Sequence, residues 1–120
     1  MRVLLIDDDE LTLEVFKNAL VLNGFDCDTA KTPAKAMLLY RESPYDLIIC
    51  DYYMPESNGL EFSVQVLAEF PNARIILYSA EVGNDIVTRA ISCGVLDFMD
   101  KPIDWQKILL ALTNLKNNQN

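Results

Sequence analysis

The segment VLLIDDDEL, residues 3–11, joins a short apolar run directly to a group of acids. Four branched aliphatic residues come first, which is the length of a strand buried on both faces of a sheet. The acids that follow therefore stand where such a strand ends. Acids ahead of a helix stabilise its positive N-terminus, and this explanation suffices for Asp9. It leaves open what Asp7 and Asp8 do at the same place.

Four more runs of strand length recur along the chain, and segments with helical spacing separate them. The five runs cover residues 2–6, 26–30, 47–50, 74–78 and 97–99. Helix starts are predicted at Thr32 with Pro33 and at Asp104, and helix ends at Gly24, Pro71 and Gly94. Strict alternation of strand and helix predicts an α/β fold in three layers, with five helices covering both faces of a five-stranded parallel sheet.

Composition limits the class of protein. With 120 residues, of which 51% are hydrophobic, the chain fits one domain with a sizeable core. Its net charge of −8 repels a phosphate backbone, so nucleic acid is not expected as a direct partner. No apolar run reaches the ~20 residues of a membrane helix, and no signal peptide is recognised, which predicts a cytoplasmic protein. Cys27, Cys50 and Cys93 are expected to be reduced thiols packed as small apolar groups.

The residues that follow the strands carry the chemistry. Asp7 and Asp8 follow the first run, Asp51 the third, Ser79 the fourth and Lys101 the fifth. Ligands of open parallel sheets bind beyond the carboxyl ends of the strands. We therefore expect these five side chains to converge at one edge.

Three carboxylates at one edge would repel one another by about 4 kcal/mol per pair at 4 Å and an effective dielectric of 20. They either share protons or hold a cation. The chain has no histidine, and Cys50 is expected to face away from Asp51, so the donors are oxygens and favour Mg²⁺. Lys101 and Ser79 suit phosphate oxygens. The set predicts phosphoryl transfer to a carboxylate, and Asp51 is our choice because it stands alone on its strand.

In this arrangement the chain resembles the receiver domain of bacterial two-component response regulators. The resemblance extends from VLLIDDD through DLIICDYYMPESNG, ILYSAE and FMDKPI to the last helix. It implies a flavodoxin-like, doubly wound sheet in the order 2-1-3-4-5. The receiver domain is expected over residues 1–116, and the polar residues 117–120 are expected to be a tail or the start of a linker.

The resemblance implies a role for each site residue. Asp8, Asp51 and the backbone carbonyl of Tyr53 would hold Mg²⁺, and Asp7 would contribute to the metal site. Asp51 would accept a phosphoryl group from a histidine kinase or histidine phosphotransfer protein, and small donors such as acetyl phosphate would also serve. Such a protein is a signalling domain that phosphorylates and dephosphorylates itself, rather than an enzyme that turns over substrate.

A switch and its output are implied as well. Ser79 would move to bind the phosphoryl group, and the ring of Phe98 would turn into the space it leaves; the alternative is that Phe98 is a static core residue. The surface of the fourth and fifth helices would dock an output domain or protein, or a second copy on phosphorylation.

The Lys101–Pro102 bond is expected to be cis. Met54 and Pro55 are expected to shape a loop, and Asn58 with Gly59 to supply a positive φ.

Two other functions compete with this interpretation. A phosphatase of the haloacid dehalogenase type needs an acid two residues after its nucleophile and a hydroxyl two residues after that; Asp7 and Asp9 meet the first demand, but Leu11 fails the second. An interaction module of the same fold would need no phosphorylation at all. A flavin site is disfavoured because no phosphate-binding loop rich in Ser, Thr and Gly follows the first strand.

Overall fold

The computed structural model describes residues 1–54, 57–80 and 83–117. Strands and helices alternate along these residues as predicted. The elements are β1 (Arg2–Ile6), α1 (Glu10–Leu22), β2 (Asp26–Ala30), α2 (Pro33–Glu42), β3 (Leu47–Asp51), β4 (Tyr53–Met54), β5 (Ser57–Asn58), α3 (Gly59–Glu69), β6 (Ile75–Ser79), α4 (Asn84–Ser92), β7 (Asp97–Asp100) and α5 (Trp105–Asn117). Among the described residues, none of the helices is long and apolar enough to cross a bilayer.

Five of the strands form one parallel sheet in the order β2-β1-β3-β6-β7. Counted without the short β4 and β5, this is the predicted order 2-1-3-4-5, which is confirmed. Asp51 pairs with Tyr78, and Ser79 pairs with Asp100. Because all five strands run the same way, their carboxyl ends share one edge of the sheet.

The sheet separates two hydrophobic cores. In β1, Leu4 and Ile6 belong to one core and Val3 and Leu5 to the other, since successive side chains of a strand point to opposite faces. Helices α2, α3 and α4 supply residues to the first core, and α1 and α5 supply residues to the second. Every residue of β3 and β6 is buried. The predicted three-layer, doubly wound arrangement is confirmed.

Local signals set most helix ends. The Thr32 hydroxyl accepts a hydrogen bond from the backbone N–H of Lys35 at 3.2 Å, and Pro33 is the first residue of α2. Gly24 and Gly94 follow α1 and α4 with φ of 86° and 107°, a conformation that favours glycine. These predicted starts and stops are confirmed.

The expectation of a positive φ at Asn58 and Gly59 is wrong. Asn58 has φ −142° and caps α3, accepting a hydrogen bond from the N–H of Glu61 at 2.9 Å. Gly59 is the first residue of that helix and lies against the end of β3, where a Cβ atom would lie 3.0 Å from the carbonyl oxygen of Asp51. Glycine is needed there for space rather than for its backbone freedom.

A short antiparallel pair, β4 with β5, follows the main strand β3 and was not predicted. Tyr53 pairs with Asn58 and Met54 with Ser57. Pro55, half of the predicted loop-shaping pair, lies outside the described residues. The pair brings the chain from the end of β3 back to the start of α3.

The three cysteines are free, but they differ in exposure. Cys27 and Cys50 are buried as expected, whereas Cys93 is exposed, so the expected packing is wrong for that residue. Burial raises the pKa of the Cys27 thiol to about 12 and that of Cys50 well above its ordinary value. Both buried groups therefore stay protonated near neutral pH.

Candidate functional site

Three acids meet at the carboxyl edge of the sheet. Asp7 and Asp8 follow β1, and Asp51 ends β3, the strand beside it. One carboxylate oxygen from each residue lies within 4.8 Å of the other two. Asp7 and Asp51 are buried, with 1% and 5% of their surface exposed, while Asp8 faces solvent. The three predicted acids are therefore brought together, with one side of the cluster open.

The crowding changes the acidity of Asp51. Burial raises the pKa of its carboxyl group, and the negative charge of Asp7 raises it further. Lys101 opposes both effects through its positive charge and its hydrogen bond. A divalent cation between the acids would relieve the same repulsion, and an all-oxygen donor set suits Mg²⁺.

Lys101 lies directly against Asp51. Its Nζ is 3.3 Å from Asp51 Oδ2, in a pair whose lysine side chain is 36% exposed and whose aspartate side chain is 7% exposed. The N–H of Lys101 also donates to the carbonyl oxygen of Ser79 at 2.8 Å, which ties the lysine to the end of β6. The Lys101–Pro102 bond is cis, as predicted. The lysine ammonium thus reaches the acid cluster from the end of β7, across the intervening strand β6.

Ser79 ends β6 with an unusual side chain. It is wholly buried, and its hydroxyl has no hydrogen-bond partner among the described residues. Most buried polar side chains in proteins have at least one partner, so a hydroxyl without one marks a functional candidate. Its position at the site edge suits a group that acquires a partner when an anion binds.

The other two predicted positions lie beside the cluster. The N–H of Tyr53 donates to Asp51 Oδ1 at 3.3 Å, while its side chain is 59% exposed. Phe98 lies in β7 and is half-buried, with its ring centroid 6.0 Å from that of Tyr52. The ring packs at the margin of a core instead of inside it. That position is compatible with a ring that moves.

One residue of the site was missed from the sequence. The Tyr78 hydroxyl donates a hydrogen bond to Asp7 Oδ2. Burial raises the pKa of Tyr78 strongly, so this hydroxyl remains a donor. A buried tyrosine needs a partner for its hydroxyl, so a tyrosine next to the end of the aliphatic strand IILYS was the available signal.

Asp9 has a different role from its neighbours. Its carboxylate caps α1, accepting hydrogen bonds from the N–H of Leu11 at 3.2 Å and the hydroxyl of Thr12 at 2.7 Å. Helix capping is the role expected for Asp9. The hydrogen bond from Thr12 lowers the pKa of Asp9, which disfavours the general acid that the phosphatase alternative would need at this position.

Comparison with known protein sequences gives a family for the chain. Residues 3–113 match the family model described as the response regulator receiver domain. The chemotaxis protein CheY of Bacillus subtilis is 33% identical, and the match covers 97% of this chain and 98% of CheY. A response regulator of Arabidopsis thaliana, ARR21, is also 33% identical over 99% of the chain. The chain spans only 20% of ARR21 and 25% of the Pseudomonas putida regulator AlgB.

Solved structures share the fold. The beryllofluoride-activated receiver domain of NtrC4 has a TM-score of 0.90 and 27% identity, with 99% of this chain and 98% of that chain covered. A receiver domain from Clostridium thermocellum has a TM-score of 0.91 and 23% identity, with coverage of 98% and 95%. With these folds and the CheY match over nearly its whole length, the chain belongs to the response regulator receiver domain family.

Proposed function

We propose that Asp51 accepts a phosphoryl group and that Asp7, Asp8 and Asp51, with the backbone carbonyl of Tyr53, hold Mg²⁺ during the transfer. The observation that carries the proposal is the position of the Asp51 carboxylate, which lies within the acid cluster with Lys101 Nζ 3.3 Å from Oδ2. When bound, Mg²⁺ supplies positive charge that offsets repulsion between these carboxylates and an incoming phosphoryl group. An Asp51 oxygen forms a bond to phosphorus while the bond from phosphorus to the donor breaks, and the donor leaves with that electron pair.

Lys101 and Ser79 bind the transferred group. The lysine ammonium is a fixed positive charge beside the accepting carboxylate, suited to a phosphoryl oxygen. The buried Ser79 hydroxyl lacks a partner among the described residues, and a phosphoryl oxygen would accept its hydrogen bond. We assign both residues to the stabilisation of charge on the phosphoryl group.

The donor and the output are proposed from the family. The donor is a histidine kinase or a histidine phosphotransfer protein, and its phosphorylated histidine would lie outside these 120 residues, which contain none. Binding by Ser79 and a turn of Phe98 would change the surface of α4 and α5, which would then dock an output domain or protein or a second copy. We propose residues 1–116 as the receiver unit and 117–120 as a tail or linker, with Asn117 still forming the last residue of α5. Two buried, free thiols support a reducing, cytoplasmic location.

Incubation with acetyl phosphate tests this function. With Mg²⁺ present, intact mass spectrometry is expected to show one added phosphoryl group, which hydroxylamine removes because it cleaves acyl phosphates. With EDTA in place of Mg²⁺ the adduct is expected to be absent. Steady turnover of an external phosphomonoester, or no adduct at any Mg²⁺ concentration, would contradict the proposal.

Ser79→Ala is expected to stabilise the unphosphorylated protein. An unpaired buried hydroxyl costs about 1–3 kcal/mol, and alanine removes it, so the free energy of unfolding should rise by about 1 kcal/mol. Ser63→Ala is the matched control, because Ser63 is equally buried but its hydroxyl donates to the Gly59 carbonyl at 2.7 Å. That control should change little in the same urea titration, because the lost bond is a back-bond within α3 and alanine favours the helix. A loss of stability in Ser79→Ala would show that the Ser79 hydroxyl is already satisfied.

A further inference from the structure

The geometry points to Tyr78 as a positioning residue: its hydroxyl holds the Asp7 carboxylate in the orientation that receives the divalent cation. This inference rests on the metal-binding part of the proposed function. It concerns a residue outside the acid cluster, on β6, whose hydroxyl contacts the buried Asp7. Tyr78 touches neither the transferred group nor the accepting carboxylate in the proposed step.

Asp7 is held by two donors from different parts of the chain. The N–H of Asp9 donates to Oδ1 at 2.8 Å, and the Tyr78 hydroxyl donates to Oδ2. A carboxylate with a donor on each oxygen cannot turn about its Cβ–Cγ bond without breaking one of them. Each carboxylate oxygen accepts more than one hydrogen bond, so Asp7 still has a lone pair to offer. The Asp9 donor is a backbone N–H, which every residue except proline would keep, so substitution of Tyr78 is the direct way to remove one donor.

Tyr78 is itself fixed in place. It is 1% exposed, and its ring centroid lies 5.7 Å from that of Phe16 on α1. Lys101 Nζ lies 5.1 Å from the same centroid. The Tyr78 side chain therefore contacts the Lys101 ammonium through its ring and the Asp7 carboxylate through its hydroxyl. Phenylalanine would keep the ring contacts and lose only the donor to Asp7.

Tyr78→Phe is expected to weaken Mg²⁺ binding. Removal of an outer partner of a metal-binding carboxylate typically lowers affinity at least about tenfold, so the dissociation constant should rise by about that factor. The measurement is a titration of Mg²⁺ alone, without phosphodonor, followed through the backbone amide shifts of Asp8 and Asp51 by NMR. The dispersion of the same spectra reports whether the variant is folded.

Tyr45→Phe is the matched control. Tyr45 is also buried, and its hydroxyl donates to the Asp28 carboxylate at 2.6 Å, but it precedes β3 whereas the site follows that strand. The control loses the same kind of hydrogen bond away from the acid cluster. Its Mg²⁺ dissociation constant is expected to match that of the parent.

Two further readouts separate positioning from general stability. In phosphorylation by acetyl phosphate, Tyr78→Phe should raise the Mg²⁺ concentration that gives half of the maximal rate, while the rate at saturating Mg²⁺ stays that of the parent. In the parent, the buried Tyr78 hydroxyl proton should give a slowly exchanging resonance that shifts along the Mg²⁺ binding curve. This second readout needs no variant and applies even if Tyr78→Phe does not fold.

Each outcome decides between the alternatives. An unchanged Mg²⁺ dissociation constant in folded Tyr78→Phe would overturn the role of Tyr78. So would an equal loss of Mg²⁺ affinity in Tyr45→Phe, or a Tyr78 hydroxyl resonance that does not shift when Mg²⁺ is added. Parent protein that binds Mg²⁺ but is never phosphorylated would overturn the proposed function instead, and the Mg²⁺ titration would still decide the role of Tyr78.

Discussion

Asp51→Asn is expected to abolish phosphorylation by acetyl phosphate in the presence of Mg²⁺. The amide has no carboxylate oxygen that can attack phosphorus, so no acyl phosphate can form at this position. The substitution also removes one of the three acids of the metal site and leaves Lys101 without its ion-pair partner at 3.3 Å. Intact mass of parent and variant after equal incubation measures the result.

Asp100→Asn is the matched control for this loss. Asp100 ends β7 as Asp51 ends β3, but it is exposed and does not belong to the acid cluster identified among the described residues. The control should form the adduct as the parent does. An adduct of equal yield in Asp51→Asn would mean that another residue accepts the phosphoryl group.

Asp51→Asn should also be more stable than the parent when no metal is present. Burial and the charge of Asp7 raise the pKa of Asp51 above its ordinary value of 3.8, so its ionised form destabilises the native state. Asparagine removes that cost at neutral pH. The gain in the free energy of unfolding should be complete above the pKa that Asp51 has in the native state. It should fade as the pH falls through that pKa, because Asp51 of the parent then becomes protonated and neutral, like asparagine. Urea titrations in EDTA at several pH values would show it, and a loss of stability at pH 7 would contradict it.

Gly59→Ala is expected to destabilise the fold by about 2 kcal/mol, within the range for overpacked sites. The new Cβ would lie 2.9 Å from Leu77 Cδ2, 3.0 Å from the Asp51 carbonyl oxygen and 3.1 Å from the Cα of Tyr52. Two of these three atoms are backbone and cannot turn aside. Gly59 also donates its N–H to the Tyr52 carbonyl at 2.7 Å, so relief would move the chain next to Asp51. Thermal or urea unfolding measures the loss.

Gly83→Ala is the control for adding a methyl group to a glycine at a helix start. Gly83 precedes α4, and among the described residues its Cβ would come within 3 Å only of the carboxylate end of Asp85, which can rotate away. The free energy of unfolding of Gly83→Ala should fall by less than about 1 kcal/mol, the usual scale of a helix-cap change. Equal losses in the two variants would refute tight packing against β3 as the reason for glycine at position 59. Phosphorylation of Gly59→Ala should be slowed, because the backbone that it displaces carries Asp51.

Much of the fold and the site could be predicted from the sequence because local signals and topology rules agree. Apolar runs identified the five strands of the main sheet, and their alternation with helices requires a parallel sheet whose carboxyl ends share an edge. The residues that follow the first, third and fifth runs then identified Asp7, Asp8, Asp51 and Lys101 as candidates without any coordinates, and the structure brings these four together. Ser79 was found by the same rule.

The tertiary structure decided the contacts between segments that are distant in the sequence. Tyr78 is 71 positions from Asp7, and no local pattern says that its hydroxyl ends on that carboxylate. Gly59 was assigned to a turn because glycine often supplies a positive φ, whereas the close approach of α3 to the end of β3 is what excludes a side chain. Hydrophobic periodicity and strand ends depend on a few neighbouring residues, so they can be predicted from the sequence. Side-chain partners and steric limits depend on how the finished layers pack, and only the folded structure determines them.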